Sequence, residues 1–257
     1  MNQEILKKMQ ELLKQFYRIQ SMNWIATKAN GYGGAGQTLE ILLKKAIDRD
    51  ILPDYHGIEI KTKQINSEPY IGLFSMALDN EPLRMKYLYD NFGWPSRDNP
   101  KYKVFYARIN SSICRCTRKY SFQLYVNYEK ETVELKIYHN FTGKLVNEEL
   151  SWSFKHLKLR LESKLSYLAY VTVDRYYERA TKTPYYKYQD IQFFQLSSFE
   201  QFLILIETGY VYVNIKLTYF KKGPREGGID VKGTTFEIHQ ENLQKLFHEV
   251  DVQMDFS

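Results

Sequence analysis

The sequence holds only two cysteines, Cys114 and Cys116, one residue apart. That excludes a disulfide-stapled fold and makes a reducing compartment the expectation. No stretch approaches the roughly 18 uninterrupted apolar residues that a membrane-spanning helix needs. Residues 1–20 carry charges every few positions and lack the apolar run of a signal peptide. A soluble, cytoplasmic bacterial protein with no membrane partner is expected. Cys114-x-Cys116 has no second cysteine pair to complete a zinc site, and His56, His139, His156, His239 and His248 show no His-x₃-His spacing. The glycines between Gly31 and Gly36 lack the Gly-Lys-Ser/Thr ending of a phosphate-binding loop, which excludes that class of nucleotide site. No repeat of fixed period appears.

What the sequence has in abundance is aromatic surface. Tyrosine accounts for 22 residues, phenylalanine for 15 and tryptophan for 3, together 16% of the chain. Lys+Arg number 36 against 30 Asp+Glu, a net charge of +6 with a pI near 9.0. A basic, tyrosine-rich protein fits a nucleic-acid partner, because tyrosine joins a flat apolar body to a polar tip. An AT-rich genome would produce the same bias through its codons, and composition leaves both readings standing. With 257 residues and 44% hydrophobic content, the chain is long enough for a substantial core.

Helical spacing of Ile5, Met9, Leu12, Phe16 and Ile19 predicts an amphipathic helix over 2–20. A glycine-rich loop over 28–36 follows, then a second helix from near Gln37 through Ala46, ending before Pro53. A strand is predicted over 56–63, with His56 and Ile58 on one side. Residues 64–100 are mixed, with turns marked by Pro69, Pro82, Pro95 and Pro100. Further strands are expected at 103–109, 120–128, 132–139, 167–174, 189–195, 210–219 and 234–239, and helices at 154–164, 198–208 and 240–248. Residues 221–233 read as a glycine-containing loop. The pattern describes one α/β domain with a mixed sheet over 1–257.

Chemistry concentrates in Pro53-Asp54-Tyr55-His56-Gly57-Ile58-Glu59-Ile60-Lys61. Alternation on a strand puts Glu59 and Lys61 on one face and Ile58 and Ile60 on the other. A tight turn at Gly57 can fold Asp54 back beside Glu59. Two adjacent carboxylates repel, and a divalent cation relieves that repulsion. Hard oxygen ligands with open water positions suit Mg²⁺, with Mn²⁺ as a substitute, and the Ile60 backbone carbonyl is a third candidate ligand. A neighbouring lysine can orient a water for metal-assisted phosphodiester hydrolysis. Glu40, on the preceding helix, is a fourth catalytic candidate beside Asp54, Glu59 and Lys61. The plain alternatives are a solvent-facing helix glutamate and a salt-bridged strand.

Asp54, Glu59 and Lys61 resemble the PD-(D/E)xK nuclease signature, including Pro53. The wider segment, with Trp24, Thr27-Lys28, Gly31, Gly34, Gly36, Thr38 and Glu40 before it and Thr62 after it, resembles the MvaI/BcnI restriction endonucleases, which are similar to the mismatch-repair nicking enzyme MutH. Two further stretches agree: Trp152-Ser153-Phe154 with Lys164-Leu165-Ser166-Tyr167-Leu168-Ala169, and Gly233-Thr234-Thr235-Phe236-Glu237-Ile238. The segment 75–150 carries no match. The resemblance implies a restriction-endonuclease-like fold, a mixed β-sheet core flanked by helices, with two lobes forming a DNA-binding cleft. Its catalytic lobe would include about 1–75 and its recognition loop about 220–238. It implies Asp54 and Glu59 as Mg²⁺ ligands, Lys61 as the catalytic lysine and Glu40 as an acidic partner. It also implies a monomer that cuts double-stranded DNA one strand at a time. Where such loops carry His before Gly-Thr and Arg after Phe, this sequence has Lys232 and Glu237, so no recognition sequence is carried over.

Charge adds candidates for DNA contact. Residues 101–120 contain Lys101, Lys103, Arg108, Arg115, Arg118 and Lys119 without an acidic residue, which fits either phosphate binding or a solvated strand face. The glycine-rich loop offers Lys222, Arg225, Lys232 and Thr234, with Arg225 able to read a guanine edge. Lys63, on the face of Glu59 and Lys61, and Lys28 complete the set. The function expected is a type II restriction endonuclease with a cognate methyltransferase encoded nearby and no stable protein partner required. The alternatives are a MutH-like nicking enzyme and a non-catalytic DNA-binding protein of the same fold.

Overall fold

The computed structural model describes residues 2–28, 34–43, 53–79, 83–147 and 149–253. Most of the predicted glycine loop, the end of the second predicted helix with Ala46, and the turn at Pro82 lie outside them. The chain begins with α1 (Gln3–Ser21), β1 (Ile25–Ala26), α2 (Gly34–Leu42), β2 (Glu59–Gln64), β3 (Tyr70–Ser75), α3 (Leu83–Phe92) and β4 (Trp94–Pro95). It continues through β5 (Lys103–Ile109), β6 (Tyr120–Asn127), β7 (Thr132–His139), β8 (Leu145–Asn147), β9 (Ser151–Ser153) and α4 (Phe154–Leu165). The last elements are β10 (Tyr167–Tyr177), β11 (Pro184–Leu196), α5 (Phe199–Glu207), β12 (Val211–Tyr219), β13 (Ile229–His239), a 3₁₀ turn (Gln240–Asn242), α6 (Leu243–Leu246) and β14 (Phe247–Val250). The mixed α/β class is as expected, with three sheets and six α-helices among the described residues.

Contacts divide the chain into two compact units. One comprises Met1–Ile71, Glu162–Ser197 and Phe247–Ser257, so it gathers far more than the N-terminal segment. Its sheet runs β1-β11-β10-β2, with β14 also on β11. β2 is terminal and parallel to β10, with Glu59 opposite Leu168 and Ile60 opposite Ala169, while the other pairs are antiparallel. The core packs Met9, Leu12, Phe16 and Ile19 of α1 and Leu39 of α2 with Ile58, Ile60, Val171, Val173 and Tyr188. The predicted apolar stripe of α1 is thus the buried one, and Asn2 caps the helix by accepting from the Glu4 amide at 3.0 Å.

The second unit comprises Gly72–Leu161 and Ser198–Leu246. One of its sheets runs β3-β13-β12-β5-β4, and a smaller one runs β6-β7-β8 with β9 on β7. Trp152 is fully buried, lies 5.4 Å from the Phe236 ring, and donates from Nε1 to the Met76 carbonyl at 3.1 Å. That bond satisfies the indole polar group inside an apolar setting.

Several predicted elements differ: α2 begins at Gly34, inside the predicted loop, and β11 at Pro184 instead of 189. The 64–100 region contains β3 and α3, and the buried Met85, Leu88, Tyr89 and Phe92 of α3 keep helical spacing. Residues 229–233, read as loop, belong to β13. A bulge opposite Lys216/Leu217 accommodates Lys232, and Gly233 adopts φ +147° there. The last helix stops at Leu246, because Phe247–Val250 leave it to pair with β11 as β14. His56 sits in a turn before β2 and is exposed, so it does not share the buried side of Ile58.

Candidate active site

The local chain path explains how Asp54 meets Glu59. Tyr55 and Ile58 exchange both backbone hydrogen bonds at 2.8 Å, closing a two-residue hairpin over His56 (φ 45°) and Gly57 (φ 92°). Two successive positive φ values define a type I′ turn, for which glycine is the least strained choice. The residue before this tiny ladder is Asp54 and the residue after it is Glu59, so the turn sets the two carboxylates side by side. Asp54 Oδ2 accepts from the Ile60 amide at 3.0 Å. The N–H and C=O of one strand residue point to the same edge. The Ile60 carbonyl therefore emerges on the edge where Asp54 lies, away from β10.

Alternation along β2 does the rest. Ile58 and Ile60 are buried in the core, and Lys61 Nζ lies 2.7 Å from Glu59 Oε1. Glu59 is only 2% exposed. A second lysine, Lys164 at the end of α4, brings its Nζ to 3.2 Å from Glu59 Oε2, but without the alignment of a hydrogen bond. Burial raises the Glu59 carboxyl above the usual carboxylate range. Lys61 opposes the rise, the Asp54 charge adds to it, and Lys164 opposes it further.

Lys164 was quoted in a matching stretch but not expected at the site. The usable signal was a basic residue in the last turn of a helix that feeds directly into the strand beside Glu59.

The other candidates are placed as follows. Glu40 is half-buried on α2. A Cβ on Gly36 of that helix would touch Thr62 Oγ1 at 3.4 Å, so α2 lies on the Ile60/Thr62 side of β2. Lys63 donates to the backbone carbonyls of Glu68 and Tyr70, the latter at 2.9 Å, and so ties the end of β2 to the start of β3. Lys28 is exposed, and its amide donates to Thr38 Oγ1 at 3.2 Å. Lys222 is exposed, and the exposed Arg225 guanidinium stacks 4.0 Å above the Phe220 ring. Lys232 is an exposed strand residue paired with Asp230. Thr234 is buried at 3% exposure and offers no side-chain surface here.

Among the described residues, no group of three or more His, Cys, Asp or Glu side chains converges. Two carboxylates and an edge carbonyl are the oxygen donors present.

The mixed sheet flanked by helices, with Glu-x-Lys on its terminal parallel strand and Asp just before the turn that leads into it, is the architecture of a restriction-type nuclease. The sequence profile of the MvaI/BcnI restriction endonuclease family matches residues 13–247, and the chain belongs to that family of DNA endonucleases. Among solved structures, the fold matches a complex of restriction endonuclease MvaI with its cognate DNA at a TM-score of 0.85 and 24% identity, covering 98% of this chain and 100% of the other. Restriction endonuclease MvaI without DNA matches at a TM-score of 0.61 and 21% identity, covering 98% and 99%. No curated protein sequence matches.

Proposed function

We propose that the chain is a type II restriction endonuclease that hydrolyses phosphodiester bonds of double-stranded DNA with Mg²⁺, or Mn²⁺ in its place. It acts as a monomer, one strand at a time, beside a methyltransferase encoded nearby. The observation that carries this reading is the arrangement of Asp54, before the turn, with Glu59 and Lys61 on the terminal strand.

The residues fit a hard divalent cation. Glu59 Oε2 is buried and accepts no hydrogen bond, and a buried carboxylate oxygen left so is costly. Mg²⁺ is commonly held by one or two carboxylates while keeping several waters. Asp54, Glu59 and the Ile60 carbonyl would hold it. When bound, it would supply Lewis-acid polarisation of the scissile phosphate.

The chain's own groups do the remainder. The Asp54 carboxylate is oriented by the Ile60 amide. Lys61 holds its ammonium beside Glu59, where it can orient the attacking water and offset charge developing on phosphorus. Lys164 supplies a second positive charge against the same carboxylate. Glu40 stands on the Ile60/Thr62 side of β2 with α2 and would reach the site only around the edge of that strand. In-line attack with departure of the 3′-oxygen leaves a 5′-phosphate. Lys28, Lys63, Lys222, Arg225 and Lys232 supply DNA contacts, and the buried Thr234 does not.

Plasmid cleavage with and without Mg²⁺ tests the reading. Asp54→Ala and Lys61→Ala should abolish cutting while retaining the fold and much of the DNA affinity in gel-shift assays. Undiminished cutting by Lys61→Ala would overturn it, and nicking that requires an added partner protein would redirect it to the MutH-like alternative.

A further inference from the structure

The two cysteines of the chain meet in the connection between β5 and β6, which carries the chain from one sheet of the second unit to the other. Cys114 and Cys116 bring their Sγ atoms to 3.0 Å. That is closer than even two non-bonded carbon atoms settle, at about 3.5–4.0 Å. The backbone explains the approach. The Cys116 amide donates to the Cys114 carbonyl at 3.0 Å, closing a three-residue turn around Arg115. The ends of such a turn lie within the Cα span of a disulfide, and here both sulfurs take the same side.

The turn stands in a hydrogen-bonded frame. Cys114 exchanges both backbone hydrogen bonds with the fully buried Phe122, at 2.8 and 2.9 Å. The Thr117 amide donates to the Tyr120 carbonyl at 3.2 Å, and Asn140 Nδ2 donates to the carbonyls of Thr117 and Arg118 at 3.0 and 3.1 Å. Both cysteines are half-buried, so a small oxidant reaches them from solvent. Burial and the neighbouring Cys114 sulfur hold the Cys116 thiol above its usual range, so the first attack falls to Cys114. Among the described residues, no group of three or more His, Cys, Asp or Glu side chains gathers, so the pair is not part of a four-ligand zinc site there.

We infer that Cys114 and Cys116 form a reversible redox site, which hydrogen peroxide converts to an intramolecular disulfide. The Cys114 thiolate attacks a peroxide oxygen, the O–O bond breaks, and Cys114 becomes a sulfenic acid as hydroxide departs. The Cys116 sulfur then attacks the Cys114 sulfur, the S–S bond forms, and the sulfenic oxygen leaves as water with the Cys116 proton. In sum, two thiols and one peroxide give one disulfide and two waters. With one residue between the cysteines, little loop entropy is removed, so the bond is a labile one that small thiols reduce and not a staple of the fold. It makes the connection between the two sheets of the second unit sensitive to oxidant. The site is independent of the endonuclease chemistry.

The test is treatment of the purified, reduced full chain with hydrogen peroxide, followed by intact mass measurement, thiol titration and tryptic mapping. The folded natural chain should lose both of its thiols together, fall in mass by two hydrogens and stay monomeric on a non-reducing gel. Trypsin cuts after Arg115, between the two cysteines, so peptides 109–115 and 116–118 should remain joined until dithiothreitol is added. Dithiothreitol should also restore both thiols. Cys114→Ser and Cys116→Ser should each abolish the two-hydrogen loss and gain oxygen atoms on the remaining sulfur instead. Should a serine variant fail to fold in thermal melts, the peptide map of the natural chain decides without it. Separate oxygen gain on the two sulfurs of the natural chain, disulfides only between chains, or thiols that persist in the folded protein would each overturn the inference.

Discussion

Two carboxylates, Glu59 in the first compact unit and Glu237 in the second, are held in opposite ways. The first unit sinks the carboxylate of Glu59 to 2% exposure and sets two lysines against it, leaving one of its oxygens without a hydrogen bond. The second uses Glu237 on a sheet face with both oxygens engaged by Arg108 and Asn214. A buried charge short of partners costs free energy, but burial alone does not mark a cation site, since Glu134 of the second unit is equally buried, faces Lys130 and Lys136, and also has an Oε2 without a hydrogen bond. A satisfied polar network costs less and fixes geometry. What singles out Glu59 is the nearby Asp54 charge and the Ile60 backbone that Asp54 engages.

The largest effect that would test this contrast lies in the core of the second unit. Trp152→Ala should destabilise the protein by about 3–5 kcal/mol in denaturant titrations. It should leave the chemistry on β2 competent wherever the protein remains folded. Loss of single-turnover chemistry in the fully folded fraction would break the separation.

Next, Glu59→Gln keeps the shape of the side chain and removes its charge. Cleavage should fall by at least about a hundredfold, the scale of one transition-state electrostatic contact, with the far-UV circular dichroism spectrum unchanged. Near-natural cleavage would remove Glu59 from the site.

A smaller effect is expected at the turn. Gly57→Val forces a branched side chain into φ 92°, at a cost of roughly 1–2 kcal/mol. It should reduce cutting more than this loss of stability alone predicts, because the turn carries Asp54. An equal drop in both would show that the turn serves only folding.

The smallest effect is the linkage between Mg²⁺, protons and stability. Mg²⁺ should raise the melting temperature of the natural chain and not that of Glu59→Gln. Because the Glu59 value is raised in the metal-free protein, its contribution to stability is full below the ordinary carboxylate value and is lost as pH rises through the raised value. Mg²⁺ must displace that proton, so its stabilising effect should weaken as pH falls. A metal effect independent of pH would argue against Glu59 as a ligand.

Much of the candidate site was legible because its geometry is local. Asp54, Glu59 and Lys61 lie within one turn and one strand, where period-two alternation and a glycine at positive φ decide the arrangement. Lys164 was not legible, since it reaches Glu59 only through the parallel pairing of β2 with β10. The α3 helix has a helical spacing that could have been read from Met85, Leu88, Tyr89 and Phe92, but the prolines around it drew attention to turns. Gly227, Gly228 and Gly233 suggested a loop throughout, although pairing with β12 carries β13 back to Ile229.

The sequence by itself determined which residue types lie next to one another along β2 and which way each faces, because side-chain alternation is a property of any strand. Only the tertiary structure decided that Glu59 would be buried and that Lys164 would meet it. It also decided that Arg108, Asn214 and Glu237, from three separate strands, would share one face. Those outcomes depend on which strands pair and in what register, a choice made by burial of the whole core and not by any short segment.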